Sequence, residues 1–175
     1  MKWNDLLIDG FGRIPGYVDS ILKGLTRDDL NWQPRHDSNS IGWLIWHLNR
    51  GQDAQIADLQ GTEQVWIKDK WYQKFDRQAD PKDVGFGHTS EQVAAFKSPA
   101  ASVLSAYTHA VIANTQDYIR SLKAKDLDRV LDEPWFQPLP TVGVRLVSIL
   151  DDGVIHAGQA GYVRGLRQGK GWQKY

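Results

Sequence analysis

The sequence contains no cysteine among its 175 residues. Disulfide bonds, thiolate metal sites and a nucleophilic protein thiol are therefore excluded, so any thiol chemistry must use a thiol from another molecule. Acidic and basic residues balance at 21 each, and no excess of positive charge favours nucleic acid or an anionic membrane surface as a partner. No apolar run reaches the roughly 18 residues of a membrane span, and the N-terminus lacks the apolar core of a signal peptide. These absences predict a cytoplasmic protein.

The length fits a single domain, residues 1–175, that is large enough to bury a proper core. Apolar residues recur at spacings of three and four in four long segments, which predicts four amphipathic helices. The predicted helices cover residues 3–25, 41–59, 98–122 and 144–167. Pro15 is expected to kink or interrupt the first of them. The eight tryptophans are many for this length and predict either aromatic pocket walls or a large core.

The connections between these helices differ in kind. Thr26 predicts the start of one short helical turn at 27–31. Residues 61–97 have weak periodicity, which indicates irregular structure with short helices, one of them capped by Thr89 and Gln92. The proline-containing stretch 124–143 predicts an extended crossover. Together these patterns predict an all-α four-helix bundle with a long irregular connection between helices two and three, a crossover between helices three and four, and no simple up-down order.

The fourth predicted helix carries glycines at 153, 158 and 161, each of which costs about 0.5–1 kcal/mol relative to alanine in a helix interior. Close approach of neighbouring helices would compensate for this cost, so we expect this helix to lie centrally in the bundle. Its predicted apolar stripe consists of Val147, Leu150, Val154, Ala157 and Gly161.

Three residues form a candidate metal site. Asp152 and His156 are four residues apart and therefore share one face of the fourth helix. His47 is the one polar residue in the apolar run 41–48 of the second helix. Two imidazoles and a carboxylate can hold Zn, Ni or Fe(II) and leave positions open for water or substrate. The alternative interpretation is a buried His47 bonded to a backbone carbonyl, beside a simple intrahelical pair of Asp152 and His156.

Other polar and aromatic residues near these positions are candidates for a pocket. Trp43 and Trp46 flank His47 and line a pocket or belong to the core. Gln159 continues the ligand face and is a candidate to orient a histidine. Arg50, Arg145 and Arg164 are candidates to hold an anionic substrate, although solvated helix faces are the favoured explanation. His88, in a glycine-containing loop, is either a lid over the site or a turn residue.

The sequence contains no HExxH, GxSxG, phosphate-loop or paired Glu-x-x-His motif.

Two stretches resemble the signature regions of the DinB-like superfamily: GLTRDDLNWQPRHDSNSIGWLIWHLNRGQD at 24–53 and DDGVIHAGQAGYVRGL at 151–166. The intervening WYQKF and GFGHTSEQV agree with it, so the likeness spans nearly the whole chain. It implies a four-helix bundle with a divalent metal on one histidine of helix two and two ligands of helix four. Those positions hold His47, Asp152 and His156. The middle ligand is often histidine in this family. A carboxylate at that position, four residues before the final histidine, resembles the branch that contains mycothiol-dependent maleylpyruvate isomerase. Asp151 points about 100° further round the helix than Asp152 and fits less well.

The resemblance implies a thiol-dependent S-transferase, in which a metal-held thiol such as mycothiol or bacillithiol is transferred to an electrophile. Both substrates would be small molecules, with no nucleic acid or membrane involved. Two other functions stay open. One is metal-assisted hydrolysis, which needs no added thiol. The other is a non-catalytic, stress-related metal-binding bundle that dimerises through exposed tryptophans. Bundles of this kind commonly dimerise, so a homodimer is also expected.

Overall fold

The computed structural model describes residues 1–173, and their regular structure is helical. The helices are α1 Trp3–Leu22, α2 Arg27–Asn31, α3 Ile41–Gln60, α4 Val65–Lys68, α5 Trp71–Lys74, α6 Ser90–Ala95, α7 Ala101–Ser121 and α8 Val142–Gln168, with 3-10 turns at Ala124–Asp128 and Lys170–Trp172. The prediction of an all-α bundle of four long helices is confirmed. Within the described residues, no helix is long and apolar enough to cross a membrane.

The four long helices pack in a ring. α1 and α3 each pack against both α7 and α8. Consecutive long helices are therefore not always neighbours, since α1 and α3 lie across the bundle from each other, as do α7 and α8. This arrangement agrees with the prediction that the bundle is not a simple up-down array. The core lies inside this ring and includes Phe11, Ile14, Val18, Ile45, Leu48, Ile56, Tyr107, Val111, Ile119, Leu146 and Ile149.

Side-chain caps set the starts of four helices. Ser40 accepts a hydrogen bond from the backbone N–H of Trp43 at the start of α3, and Thr141 caps α8 in the same way. Thr26 and Thr89 form the capping boxes of α2 and α6. α1 continues through Pro15, so this residue does not interrupt the helix.

The predicted start of α7 at Ser98 was wrong by a few residues. The helix begins at Ala101, after an extended Ala100. Ser98 is buried instead, and its backbone N–H donates to the Asn31 side chain at 2.8 Å. This tertiary bond holds Ser98 against α2, so its hydroxyl does not cap the helix.

The predicted apolar stripe of α8 was also wrong in part. Val147 and Val154 are exposed, and the buried face instead consists of Val142, Leu146, Ile149, Gly153, Ala157, Ala160, Val163 and Arg164. Close packing explains Gly153, since a Cβ there would lie 3.0 Å from Cδ1 of Ile14. Gly158 has open space around it, so close approach does not explain that glycine. The helix packs against α1 and α3, but each of the other long helices also has two neighbours in the ring, so the expectation that α8 lies centrally was wrong.

A buried ion pair joins α3 to the irregular segment that follows it. Arg50 and Asp53 are fully buried, with 3.6 Å between Nη1 and the carboxylate. Asp53 accepts hydrogen bonds from the backbone N–H groups of Val65 and Trp66 and from the Tyr107 hydroxyl. One carboxylate therefore fixes α3, α4 and α7 relative to one another.

Candidate functional site

The structure brings His47, Asp152 and His156 together where α3 faces α8. The His47 and His156 rings meet edge to face, with their centroids 4.7 Å apart. His156 Nε2 lies 3.4 Å from Asp152 Oδ1. The Asp152 carboxylate leans toward Gly51 of α3, one turn beyond His47, and a Cβ at Gly51 would lie 3.8 Å from Oδ2. This is an ordinary van der Waals distance, so the position of the carboxylate does not require a glycine at 51.

Each histidine has a hydrogen-bond acceptor on its Nδ1 atom. His47 Nδ1 lies 2.5 Å from the Val84 carbonyl oxygen, and His156 Nδ1 lies 2.7 Å from Gln159 Oε1. A carbonyl oxygen can only accept, so each Nδ1 carries the proton and donates it. In the neutral ring this leaves the lone pair on Nε2. Histidines that bind metals commonly have this arrangement, in which an outer acceptor fixes the tautomer and the ring orientation.

The two histidines differ in their protonation. Burial lowers the pKa of His47, although its hydrogen bond to Val84 opposes this effect. The hydrogen bond to Asp152 raises the pKa of His156, and the same contact lowers the pKa of Asp152. At neutral pH the His47 ring is therefore neutral. Asp152 is an ionised carboxylate, and its negative charge favours the protonated form of His156.

The donor set fits a divalent ion in its chemistry and in its pairwise spacing. Two ligand atoms on one tetrahedral zinc ion lie about 3.3 Å apart, and two imidazoles on such an ion have ring centres roughly 5 Å apart. The observed separations of 3.4 Å and 4.7 Å are close to both values. Across residues 1–173, however, no group of three or more His, Cys, Asp and Glu side chains is already arranged to hold an ion. Asp152 is 44% exposed, so its carboxylate has room to turn toward an ion.

The two tryptophans of α3 have different environments. Trp43 stacks on His47, with ring centroids 4.7 Å apart, so it lines one side of the site. Trp46 is fully buried and packs against Phe96, which makes it a core residue. Asp151 is exposed.

The three arginines are bonded within the protein. Arg50 is fully buried, and its guanidinium donates to backbone carbonyls of the 80–83 segment. Arg164 is buried and donates to the Ser20 and Ile21 carbonyls at the end of α1. Arg145 pairs with Glu133. The prediction that these side chains hold an anionic substrate does not fit the structure, because their charged groups are already bonded to protein acceptors.

A groove runs along α8 next to the site. It has a volume of about 520 Å³ and includes Gln159, the partner of His156. Its other lining residues include Pro34, Ser38, Asn39, Leu44, Tyr162 and Leu166. A larger, mostly apolar groove of about 720 Å³ lies on the other side of Tyr162, against α1. None of the three candidate ligands lines either groove, but the smaller one includes Gln159, which bonds His156, and it is therefore the better candidate for a substrate.

His88 of the 83–88 segment was named from the sequence as a lid or a turn residue, and it lies against Trp43 and Trp46 beside the site. The roles of Val84 and Gly85 were not predicted. Val84 supplies the acceptor for His47, and Gly85 lies directly against the His47 ring. The glycines of the GFGH string were the available signal, since they permit a close backbone approach, but nothing in the sequence indicated which side chain they approach.

The comparisons agree with this fold and fix the family. A structure described as a conserved protein from Enterococcus faecalis is similar to this chain, with 34% identity, a TM-score of 0.88, and coverage of 97% of this chain and 99% of that one. No curated protein matches the chain at a significant level. The sequence profile of the DinB superfamily matches residues 11–160, which include all three candidate ligands. The chain therefore belongs to the DinB superfamily.

Proposed function

We propose that His47, Asp152 and His156 bind a divalent metal ion, with zinc, nickel and Fe(II) as the candidate ions. The observation that carries this proposal is the bonding of the two histidines. His47 donates its Nδ1 proton to a backbone carbonyl oxygen, His156 donates its Nδ1 proton to the side chain of the exposed Gln159, and His156 Nε2 lies 3.4 Å from a carboxylate oxygen. Two neutral imidazoles and one carboxylate are the ligand types of an open catalytic zinc or iron site.

The function proposed for this site is transfer of a small thiol, such as mycothiol or bacillithiol, to an electrophilic small molecule. A bound divalent ion would supply a thiolate at neutral pH by lowering the pKa of the thiol that it holds. The chain has no cysteine, so the sulfur nucleophile must come from a separate molecule. The choice of a transferase is supported by membership of the DinB superfamily together with the carboxylate at Asp152.

The residues around the ligands suit this role. Trp43 covers one face of His47 and limits access of water from that side. Asp152 is partly exposed, which leaves the opposite side open to an incoming molecule. The 520 Å³ groove beside Gln159 has an uncharged lining and is large enough for the organic part of a substrate.

A thiol-dependence assay tests the transferase. Metal-loaded protein would be incubated with an electrophile, with and without mycothiol or bacillithiol, beside Asp152→Asn and the exposed-residue control Asp151→Asn. Consumption of the electrophile that requires thiol and is lost only in Asp152→Asn supports a transferase. Turnover of ester or amide substrates without thiol would instead support metal-assisted hydrolysis.

A non-catalytic, dimerising bundle is the second candidate, because one observation favours it. Apolar side chains are exposed along α8 at Val147, Val154, Tyr162 and Leu166. The expected interface of exposed tryptophans fits less well, since Trp43, Trp46, Trp66 and Trp71 are buried and Trp135 is the residue of this type with a largely exposed side chain among the described residues. Under this alternative, removal of metal would lower stability, and Asp152→Asn would change no reaction rate.

A further inference from the structure

The segment Asp83–His88, here called the clamp loop, lies against the outer side of His47. Its Val84 carbonyl accepts the His47 Nδ1 proton. Arg50 fixes the approach to this loop from inside the protein. Its guanidinium donates to the carbonyl oxygens of Asp80, Pro81 and Asp83 at 3.4, 3.2 and 3.2 Å. A fully buried side chain therefore holds the backbone just before the carbonyl that contacts His47.

The side chains of the clamp loop form a second set of bonds. Asp83 pairs with Arg77 at 2.6 Å through Oδ2, and its Oδ1 lies 3.1 Å from His88 Nε2. The indole N–H of Trp43 donates to His88 Nδ1 at 3.3 Å. Because an indole can only donate, His88 Nδ1 is the acceptor and His88 Nε2–H donates to Asp83. The chain of bonds from Arg77 to Trp43 ties the two ends of the loop to the aromatic wall of the site.

Gly85 makes the approach of the clamp loop possible. It has φ +84°, and a Cβ there would lie 2.9 Å from His47 Nδ1, 2.9 Å from the Trp46 ring and 3.0 Å from the Trp43 ring. Gly87 has a similar φ of +76°, but a Cβ there would have no neighbour within 4 Å. Both glycines therefore have a left-handed backbone conformation. Gly85 also needs to lack a side chain, because the His47 ring lies against it.

We propose that the clamp loop is a positioning device that selects the Nδ1–H tautomer of His47 and so keeps Nε2 free to act as a ligand atom. Asp83, Gly85 and His88 are positioning residues, since they act through the Val84 carbonyl and the ring of Trp43. The inference rests on the proposed metal site for its functional meaning, but selection of the tautomer is a property of the metal-free protein and is measured separately.

The test compares Gly85→Ala with Gly87→Ala, since both place alanine at a left-handed backbone position and only the first inserts a methyl group against His47. Long-range ¹⁵N–¹H spectra of the histidine rings in metal-free protein report which nitrogen carries the proton. Zinc affinity is measured by competition with a chelator. We expect His47 to be Nδ1–H in the native protein and in Gly87→Ala, and to become a mixture of tautomers in Gly85→Ala. Zinc affinity should fall about 10–100-fold in Gly85→Ala and change by no more than about twofold in Gly87→Ala.

Equal tautomer populations in both alanine variants and the native protein would overturn the inference. If the native protein binds no zinc, the proposed function fails, and the ring spectra still decide whether the loop selects the tautomer. Asp83→Asn provides the same spectroscopic test without inserting an atom, should Gly85→Ala not fold. Loss of tautomer selection in Asp83→Asn supports the inference, and unchanged selection there contradicts it.

Discussion

His47 and Asp53 both lie on α3, and their partners determine what each can do. His47 meets a backbone carbonyl on one side and another histidine on the other, so its ring has one bonded nitrogen and one available nitrogen. Asp53 has donors on both oxygens and is completely enclosed. The first arrangement suits ligand binding, whereas the second serves stability alone.

Asp53→Ala should lower the free energy of unfolding by about 3–5 kcal/mol, because it leaves the charge of Arg50 buried without its partner and removes the acceptor of two backbone N–H groups. Urea denaturation measures the change. Asp58→Ala, at an exposed position of the same helix, is the control and should change stability by no more than about 0.5 kcal/mol. Equal effects in the two variants would contradict the structural role given to Asp53.

At the scale of elements, the helices could be predicted from the sequence and the loop at the site could not. Ser40, Thr26 and Thr89 are local signals, so the starts of α2, α3 and α6 followed from residues near them in the chain. His47, Asp152 and His156 were found through helical spacing and family resemblance. The clamp loop depends on bonds to Arg50 and Trp43, which are distant in sequence, and no periodicity indicates them.

The clamp loop gives a pH-dependent prediction for stability. Burial acts to raise the pKa of Asp83, but its contacts with Arg77 and His88 together outweigh burial, and the net pKa lies below the ordinary 3.8. A lowered carboxyl pKa means that the ionised group stabilises the folded state above pH 3.8 and that this stabilisation is lost as the pH falls through the folded pKa. Asp83→Asn should therefore cost about 1.5–3 kcal/mol near pH 7, and the difference from the native protein should shrink below pH 3.8. Denaturation at several pH values measures it, and a difference independent of pH would contradict this account.

The orientation of α8 gives a separate prediction. Apolar residues occupy two stripes of this helix, and the sequence analysis chose the stripe containing Val147, whereas packing buries the stripe containing Ile149. Periodicity cannot distinguish two apolar stripes, because only contacts with α1 and α3 decide which one is buried. Ile149→Ala should cost about 2–5 kcal/mol of stability, and Val147→Ala no more than about 0.5 kcal/mol. Similar losses in thermal or urea denaturation would contradict the observed orientation.

At the scale of the whole molecule, the candidate ligands connect two helices that belong to different ends of the chain. His47 is on α3, Asp152 and His156 are on α8, and the groove beside Gln159 lies between α8 and the segment that precedes α3. An ion bound by all three residues would link these parts. Binding to the folded state alone would therefore raise the apparent stability of the entire bundle in proportion to the logarithm of the metal concentration.

The most direct test of the central claim is the metal content of purified, tag-free protein after loading with zinc or nickel and dialysis, beside His156→Ala and His36→Ala. His36 is exposed in a loop and serves as the matched histidine control. The account predicts about one retained ion per chain in the native protein and in His36→Ala, and loss of the ion in His156→Ala. Absence of retained metal in the native protein, or equal retention in both variants, would contradict the proposed site at His47, Asp152 and His156.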